Sequence, residues 1–296
     1  RSNPMIRVNG KLCGSVLLAL ALILFASLAY AELNLKGFAD SYHAIRIDEP
    51  NDYLASRTRV RVEAQFLEEL TTFFVSVNAV QNDVVTEESG VSLMESYIDY
   101  ADESWDLRAG KQILIWGKGT GIQITDILSP RDYSEYLARD FDDMRLAVDA
   151  MKFRLLGEES DLEFIWIPTF YKAVLPTTES PWYIAGDATN DVYNAAVEPE
   201  HTFANSELAL KYSLYLSAFD FAVSLFHTWE DIPTYHYTVN NNQKTYSPEY
   251  HRITYGALEF SIPLGDFVLL GEMALFHGRH YEIENNGATS HIMKDS

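Results

Sequence analysis

The sequence predicts an all-β fold, specifically a transmembrane antiparallel up-and-down β-barrel. Three observations predict it. Stretches of strand length alternate apolar with polar residues many times, the chain opens with an export signal, and short turns alternate with long polar loops.

The alternation is plainest at Arg57–Phe66. Arg57, Arg59, Arg61, Glu63 and Gln65 fall on one face, and Val60, Val62, Ala64 and Phe66 on the other. In a membrane barrel the apolar face meets lipid and the charged face lines a wet interior. Arginine at the lipid midplane costs about 2–4 kcal/mol, so three in a row are expected to point inward as a positive ladder. Acidic groups such as Glu95, Asp99 or those of a long loop should stand opposite them. We expect bridges to hold most of the ladder and one arginine to stay free.

Eleven such segments run along the chain: 33–47, 53–67, 71–80, 92–101, 105–116, 150–156, 162–168, 206–217, 219–229, 250–263 and 267–281. Each is about ten residues, longer than the five or six usual in a soluble sandwich. Lys152 and Arg154 oppose Met151, Phe153 and Leu155, while Arg108 lies on the less apolar face of its segment. The pore-lining set expected from this pattern is Arg57, Arg59, Arg61, Glu63, Glu95, Asp99, Arg108, Lys152 and Arg154. Residues 170–204 show no period and 231–248 are polar and rich in asparagine, so both are expected as loops. Helical periodicity is weak except over Tyr133–Arg145.

Residues 1–31 form a pre-sequence and secretory signal. Met5 opens a basic stretch with Arg7 and Lys11, an apolar run spans Val16–Leu28, and Ala29-Tyr30-Ala31 supplies a cleavage site. The mature chain is then expected to start near Glu32, with residues 32–296 forming an outer-membrane barrel domain. Cys13, the single cysteine, leaves with the signal, so no disulfide or thiolate chemistry remains. Eleven is an odd strand number for a bacterial barrel, and the sequence ends on a polar stretch without a strand closing on an aromatic residue. We therefore expect an N-terminal portion of a longer barrel, with an open edge after Tyr281.

The chain carries 43 acidic and 22 basic residues. Without Arg1, Arg7 and Lys11 the balance is 19 against 43, a net charge of −24. Such a surface excludes nucleic acid as a partner. The expected partners are outer-membrane lipid and lipopolysaccharide, with homo-oligomer formation permitted.

The insertion at 117–148 is too long for a plain turn. It mixes Lys118, Asp126, Arg131, Asp132, Arg139, Asp140, Asp142, Asp143 and Arg145, with Pro130 breaking any early helix. It reads either as an ordinary external loop or as a constriction loop folded into the lumen, where opposed charges set a transverse field. Gly117-Lys118-Gly119-Thr120-Gly121 is no phosphate loop, because Gly119 stands where Ser or Thr should follow the lysine and no glycine lies five before Gly117.

Gly110-Lys111-Gln112, Trp116-Gly117, Thr125-Asp126-Ile127-Leu128-Ser129-Pro130-Arg131-Asp132, Phe141-Asp142-Asp143-Met144-Arg145 and Trp166-Ile167-Pro168 resemble a porin-like family of Gram-negative outer-membrane proteins of unknown function. The resemblance covers roughly Trp105–Trp182. It implies a β-barrel, an outer-membrane location and no known catalysis, and it carries over no ligand. Lys111 departs from an expected arginine.

No motif supports an enzyme. The eight histidines are scattered, and His277 with His280 fall on opposite faces of a continuous strand, which does not suit a shared metal. There is no Gly-x-Ser-x-Gly elbow. We expect no cofactor, no metal and no catalytic residue. The function expected is a passive channel for small solutes, with the arginine wall and the mixed-charge loop as its filter. The alternatives are a structural barrel sheathing an export or electron-transfer assembly, and an outer-membrane hydrolase.

Overall fold

A computed structural model describes residues 32–119, 123–183, 191–241, 243–285 and 289–294. The export signal, and Thr120 and Gly121 of the glycine-rich turn, lie outside these residues. Eleven strands form one antiparallel sheet. They are β1 (Glu32–Ile45), β2 (Tyr53–Glu68), β3 (Thr71–Asn82), β4 (Gly90–Ala101), β5 (Trp105–Gln112), β6 (Val148–Leu156), β7 (Ser160–Ile167), β9 (Glu207–Tyr215), β10 (Asp220–Trp229), β13 (Arg252–Leu264) and β14 (Phe267–His277). Outside this sheet lie β8 (Val192–Tyr193), β11 (Thr234–Asn240), β12 (Gln243–Glu249), β15 (His280–Asn285) and β16 (Thr289–Lys294). The order in the large sheet follows the chain, each strand pairing with the next. Among the described residues β1 pairs only with β2 and β14 only with β13, so the sheet is open.

Connections alternate strictly. Short turns occupy residues 69–70, 102–104, 157–159, 216–219 and 265–266; long links occupy 46–52, 83–89, 113–147, 168–206 and 230–251. All long links therefore emerge at one end of the sheet. All eleven expected segments carry a strand of the sheet, but the last stops at His277, where Gly278 takes a φ of 89° and His280 opens β15 outside the sheet, and three further expectations need correction. The fifth strand stops at Gln112, not Trp116, because the next N–H groups leave the ladder: Ile113 donates to Glu95 at 2.8 Å and Leu114 to Ser129 Oγ at 2.8 Å. The polar stretch 231–248 holds the β11–β12 hairpin. Its alternating Tyr235, Tyr237 and Val239 outweigh the asparagines, and Asn241 takes a positive φ of 49° at the turn. Tyr133–Arg145 is no helix but two 3-10 turns, Tyr136–Ala138 and Phe141–Met144. Asp132 N–H donates to Met144 O at 2.7 Å and Leu146 N–H to Pro130 O at 2.8 Å, so the segment doubles back on itself.

The register sorts the side chains. Residues directly opposed in an antiparallel pair share a face. One face carries Val60, Val62, Phe73, Val75, Leu107, Phe153, Leu162, Leu210, Val223, Leu258, Met273 and their neighbours. Many of these are exposed, Val62 at 51% and Met273 at 56%. Charge on this face appears only close to the strand ends, as at Glu68, Lys111, Asp149 and Arg252. Tyr100, Trp105 and Phe153 form a ring chain on it near the short turns, with centroids 4.9 and 6.0 Å apart.

The opposite face is concave. Val148 on β6 and Phe276 on β14 line the same cavity of about 180 Å³. Those strands stand five spacings apart, about 24 Å in a flat sheet, so the sheet must curl strongly between them. Leu114, Trp116 and Leu128 of the 113–147 link pack into this hollow against Val148, Ala150, Ile165, Ile167, Ala209, Phe226 and Tyr255. Each large buried side chain contributes about 1.5–3 kcal/mol, enough to hold the link inside.

Candidate functional site: the arginine row and the inward link

The insertion lies on the charged, concave face. Its contacts reach from β2 to β14. Glu135 accepts a hydrogen bond from Arg57 and another from Asn82 at 3.0 Å. Asp143 bridges Arg59 at 2.9 Å and Arg61 at 3.3 Å. Arg59 also pairs with Asp40 on β1 at 2.5 Å, and Arg61 donates to Asn78 at 2.7 Å. Further round, Trp116 Nε1 donates to Glu163 on β7 at 2.6 Å, and Lys118 bridges Asp220 on β10 at 3.1 Å.

The far anchor is Glu272 on β14. Its carboxylate accepts the backbone N–H groups of Lys118 (2.7 Å), Gly119 (2.6 Å), Ile124 (2.7 Å) and Thr125 (3.1 Å). Gly117 makes the turn feasible. It has φ +100°, and a Cβ there would stand 2.7 Å from Thr125 Oγ1 and 2.9 Å from Glu272 Oε1.

Between the row and the link remains a cleft of about 350 Å³. Arg57, Arg59, Arg61, Arg139 and Arg145 line it together with Glu87, Glu88, Asp132 and Asp143. The cations stand on the wall and on the link, and each arginine has at least one carboxylate partner. Arg139 reaches Glu88 at 2.7 Å, Asp132 at 2.5 Å and Glu135 at 3.3 Å. Arg145 binds Asp126 at 2.8 Å and Asp142 at 2.7 Å, and Arg131 shares Asp126 at 3.0 Å. Asp140 is exposed. Burial raises the Asp143 carboxyl, but the Arg59 hydrogen bond and the charges of Arg59, Arg61 and Arg57 outweigh it and hold that carboxyl below its ordinary range.

All nine residues expected on the inner wall share this face. Glu63 stands opposite Ser76, which stands opposite Glu95; Asp99, Arg108 and Lys152 are in register across three strands. One expectation fails: no arginine of the row is free, because all three find carboxylates inside the curled sheet. Of the acidic groups expected opposite them, those of the long loop serve, while Glu95 accepts from Ile113 N–H and Asp99 from Arg108 at 2.8 Å. Arg154 pairs with Asp106, 2.9 Å from its Nε, and Lys152 has no ion pair among the described residues.

Sequence reasoning missed Glu135, Glu88, Glu272, Asp40 and Glu163. A signal existed for Glu272, the one charged residue between Asp266 and Arg279, and for Glu163, which alternates with Leu162 and Phe164. Nothing local singled out Glu135 among its acidic neighbours.

No protein-family model and no curated protein matches this chain. Among solved structures it is similar to a form of OmpT lacking loop L8, an outer membrane protein of Vibrio cholerae. That match has a TM-score of 0.42 and 7% identity over 87% of this chain and 71% of the other. A doubly substituted porin of Rh. blastica gives 0.35 and 8%, covering 83% and 84%. The trimer form of in-vitro folded Vibrio cholerae OmpT gives 0.27 and 9%, covering 89% and 94%.

Glu135→Ala leaves buried Arg57 without its carboxylate and takes one of three from Arg139. We expect a loss of about 3–5 kcal/mol, read as a fall in unfolding free energy and faster proteolysis within 113–147. The Asp143 anchor has a defined pH course. Its depressed carboxyl stabilises the packed link above the unfolded value of about 3.9, and that stabilisation is lost as pH falls through the lower folded value. Protease access to the link should stay constant from neutral pH down to the ordinary carboxylate range and rise only below it.

Proposed function

We propose that this chain forms the wall and the filter of an outer-membrane channel. The observation that carries the reading is the pairing of two faces: an apolar band outside with charge only near its rims, and a charged hollow inside that holds its own loop. An exposed apolar surface on this scale is not tolerated in water. It suits lipid, where strands can span provided their backbone is paired. Small solutes would pass the cleft between the β2 arginines and the acidic side of the link. The opposed charges there set a field across the path, so the filter acts on dipoles and ions alike. Outer-membrane lipid and lipopolysaccharide are the surroundings this surface fits, and passage rather than catalysis is the role we assign to the charges.

Two measurements test this reading. Leu210→Arg puts a charge in the middle of the outward face and should cost about 2–4 kcal/mol of folding into bilayers, measured by urea titration with vesicles; a neutral effect would mean that this face meets water. Ser92→Cys in a Cys13→Ser background places a thiol on the cleft. Purified protein should give stable single-channel currents in planar bilayers, and a bulky thiosulfonate should reduce them in this variant alone. A barrel that inserts but stays silent, and copurifies with a partner, would favour the sheath reading, which the apolar packing of Leu114, Trp116 and Leu128 in the hollow supports.

A further inference from the structure

A third cavity, of about 550 Å³, lies among the long links, apart from the charged cleft. Four tyrosines from four separate stretches line it: Tyr183, Tyr193 on β8, Tyr235 on β11 and Tyr250 just after β12. The short parallel pairing of β8 with β12 sets Tyr193 opposite Tyr246, and their rings stack 4.7 Å apart at 9°. That stack fixes the plane of the Tyr193 ring, which nevertheless remains 52% exposed. Phe170 braces Tyr250, with ring centroids 4.8 Å apart. The rings are thus oriented before anything binds, although Tyr183 and Tyr235 stay open to solvent.

The rest of the lining sets the ligand class. Among the described residues its lining holds one charged residue, Lys172, and that bridges Glu198 at 2.5 Å, so the described lining is without unbalanced charge. Asn194 and Thr178 add an amide and a hydroxyl to the phenol groups. Burial, with Glu198 and Tyr235 adding to it, pushes the Tyr250 phenol up to about 12, so it remains a hydrogen-bond donor. Ring faces beside uncharged polar groups match the two surfaces of a sugar. Its C–H face is apolar and slightly positive and packs on the negative face of an aromatic ring, while its hydroxyls need donors and acceptors at the edge. The volume lies within the range usual for small-ligand sites.

We propose that this tyrosine-lined cavity binds a short neutral saccharide. None of the described residues lining this cavity lines the charged cleft, and binding is measured without reference to conductance. The test uses the full chain in detergent micelles, with maltotriose and cellotriose as probes and benzyl alcohol as an apolar control, followed by saturation-transfer NMR and titration. We expect saturable binding of at least one trisaccharide. Tyr193→Ala with Tyr235→Ala should weaken it about tenfold or more, since two ring contacts are lost. Tyr53→Ala, on a ring outside the cavity, should leave it unchanged. Tyr235→Leu, which keeps an apolar side chain in place, gives the same direction with a smaller loss and serves if the double variant does not fold. Absence of binding to both trisaccharides, binding of benzyl alcohol alone, or affinity indifferent to these tyrosines would overturn the proposal.

Discussion

The ion pairs between the β2 arginines and the carboxylates of the inward link are the constraint on which the rest depends. Three guanidinium groups on the concave face cannot be left desolvated without partners. Asp40 bridges Arg59 alone, and the other side chain of the sheet that bonds the row among the described residues is the neutral Asn78, which accepts from Arg61. Glu135 and Asp143 must therefore come from the link, which places residues 130–146 against the wall. The same pairs fix the separation between wall and link, and with it the cleft.

Two other devices keep the link in position. Near β14, the single carboxylate of Glu272 satisfies four backbone N–H groups that would otherwise be orphaned in the turn after Gly117. Between the two polar anchors, Trp116 and Leu128 fill an apolar hollow around Phe226 and Tyr255. Polar anchoring at both margins with apolar packing between them makes the link a fixed part of the interior. The outward face obeys the opposite rule, with Leu210, Val223 and Met273 exposed and charge kept near the rims.

Much of the sheet was legible because its signal is local. Period-two alternation depends only on neighbours in sequence, so Arg57–Phe66 and Ser206–Ser217 declare both their strands and their faces. The two-faced reading of the arginines was legible for the same reason. Partner identity was not. Arg57 meets Glu135, far along the chain, and no local pattern distinguishes Glu135 from Asp140, which ends up exposed. The β11–β12 hairpin was hidden because asparagine-rich composition masked the alternation of Tyr235, Tyr237 and Val239. The helical spacing of Tyr133–Arg145 misled: Arg139 meets Glu135 and Arg145 meets Asp142 at that spacing, but Glu135 and Asp143 also bind the wall and Arg139 binds Glu88, and the backbone doubles back instead of winding into a helix.

Wall and link meet through these pairs, and in the proposed channel solute passes between them. A double-mutant cycle across the cleft tests it most directly, with Arg61→Gln, Asp143→Asn and the combination compared by single-channel conductance. If the two residues act through one contact that shapes the path, each single variant changes conductance and the double variant resembles the singles, so the effects are non-additive. Additive effects, or conductance indifferent to all three variants, would contradict the account.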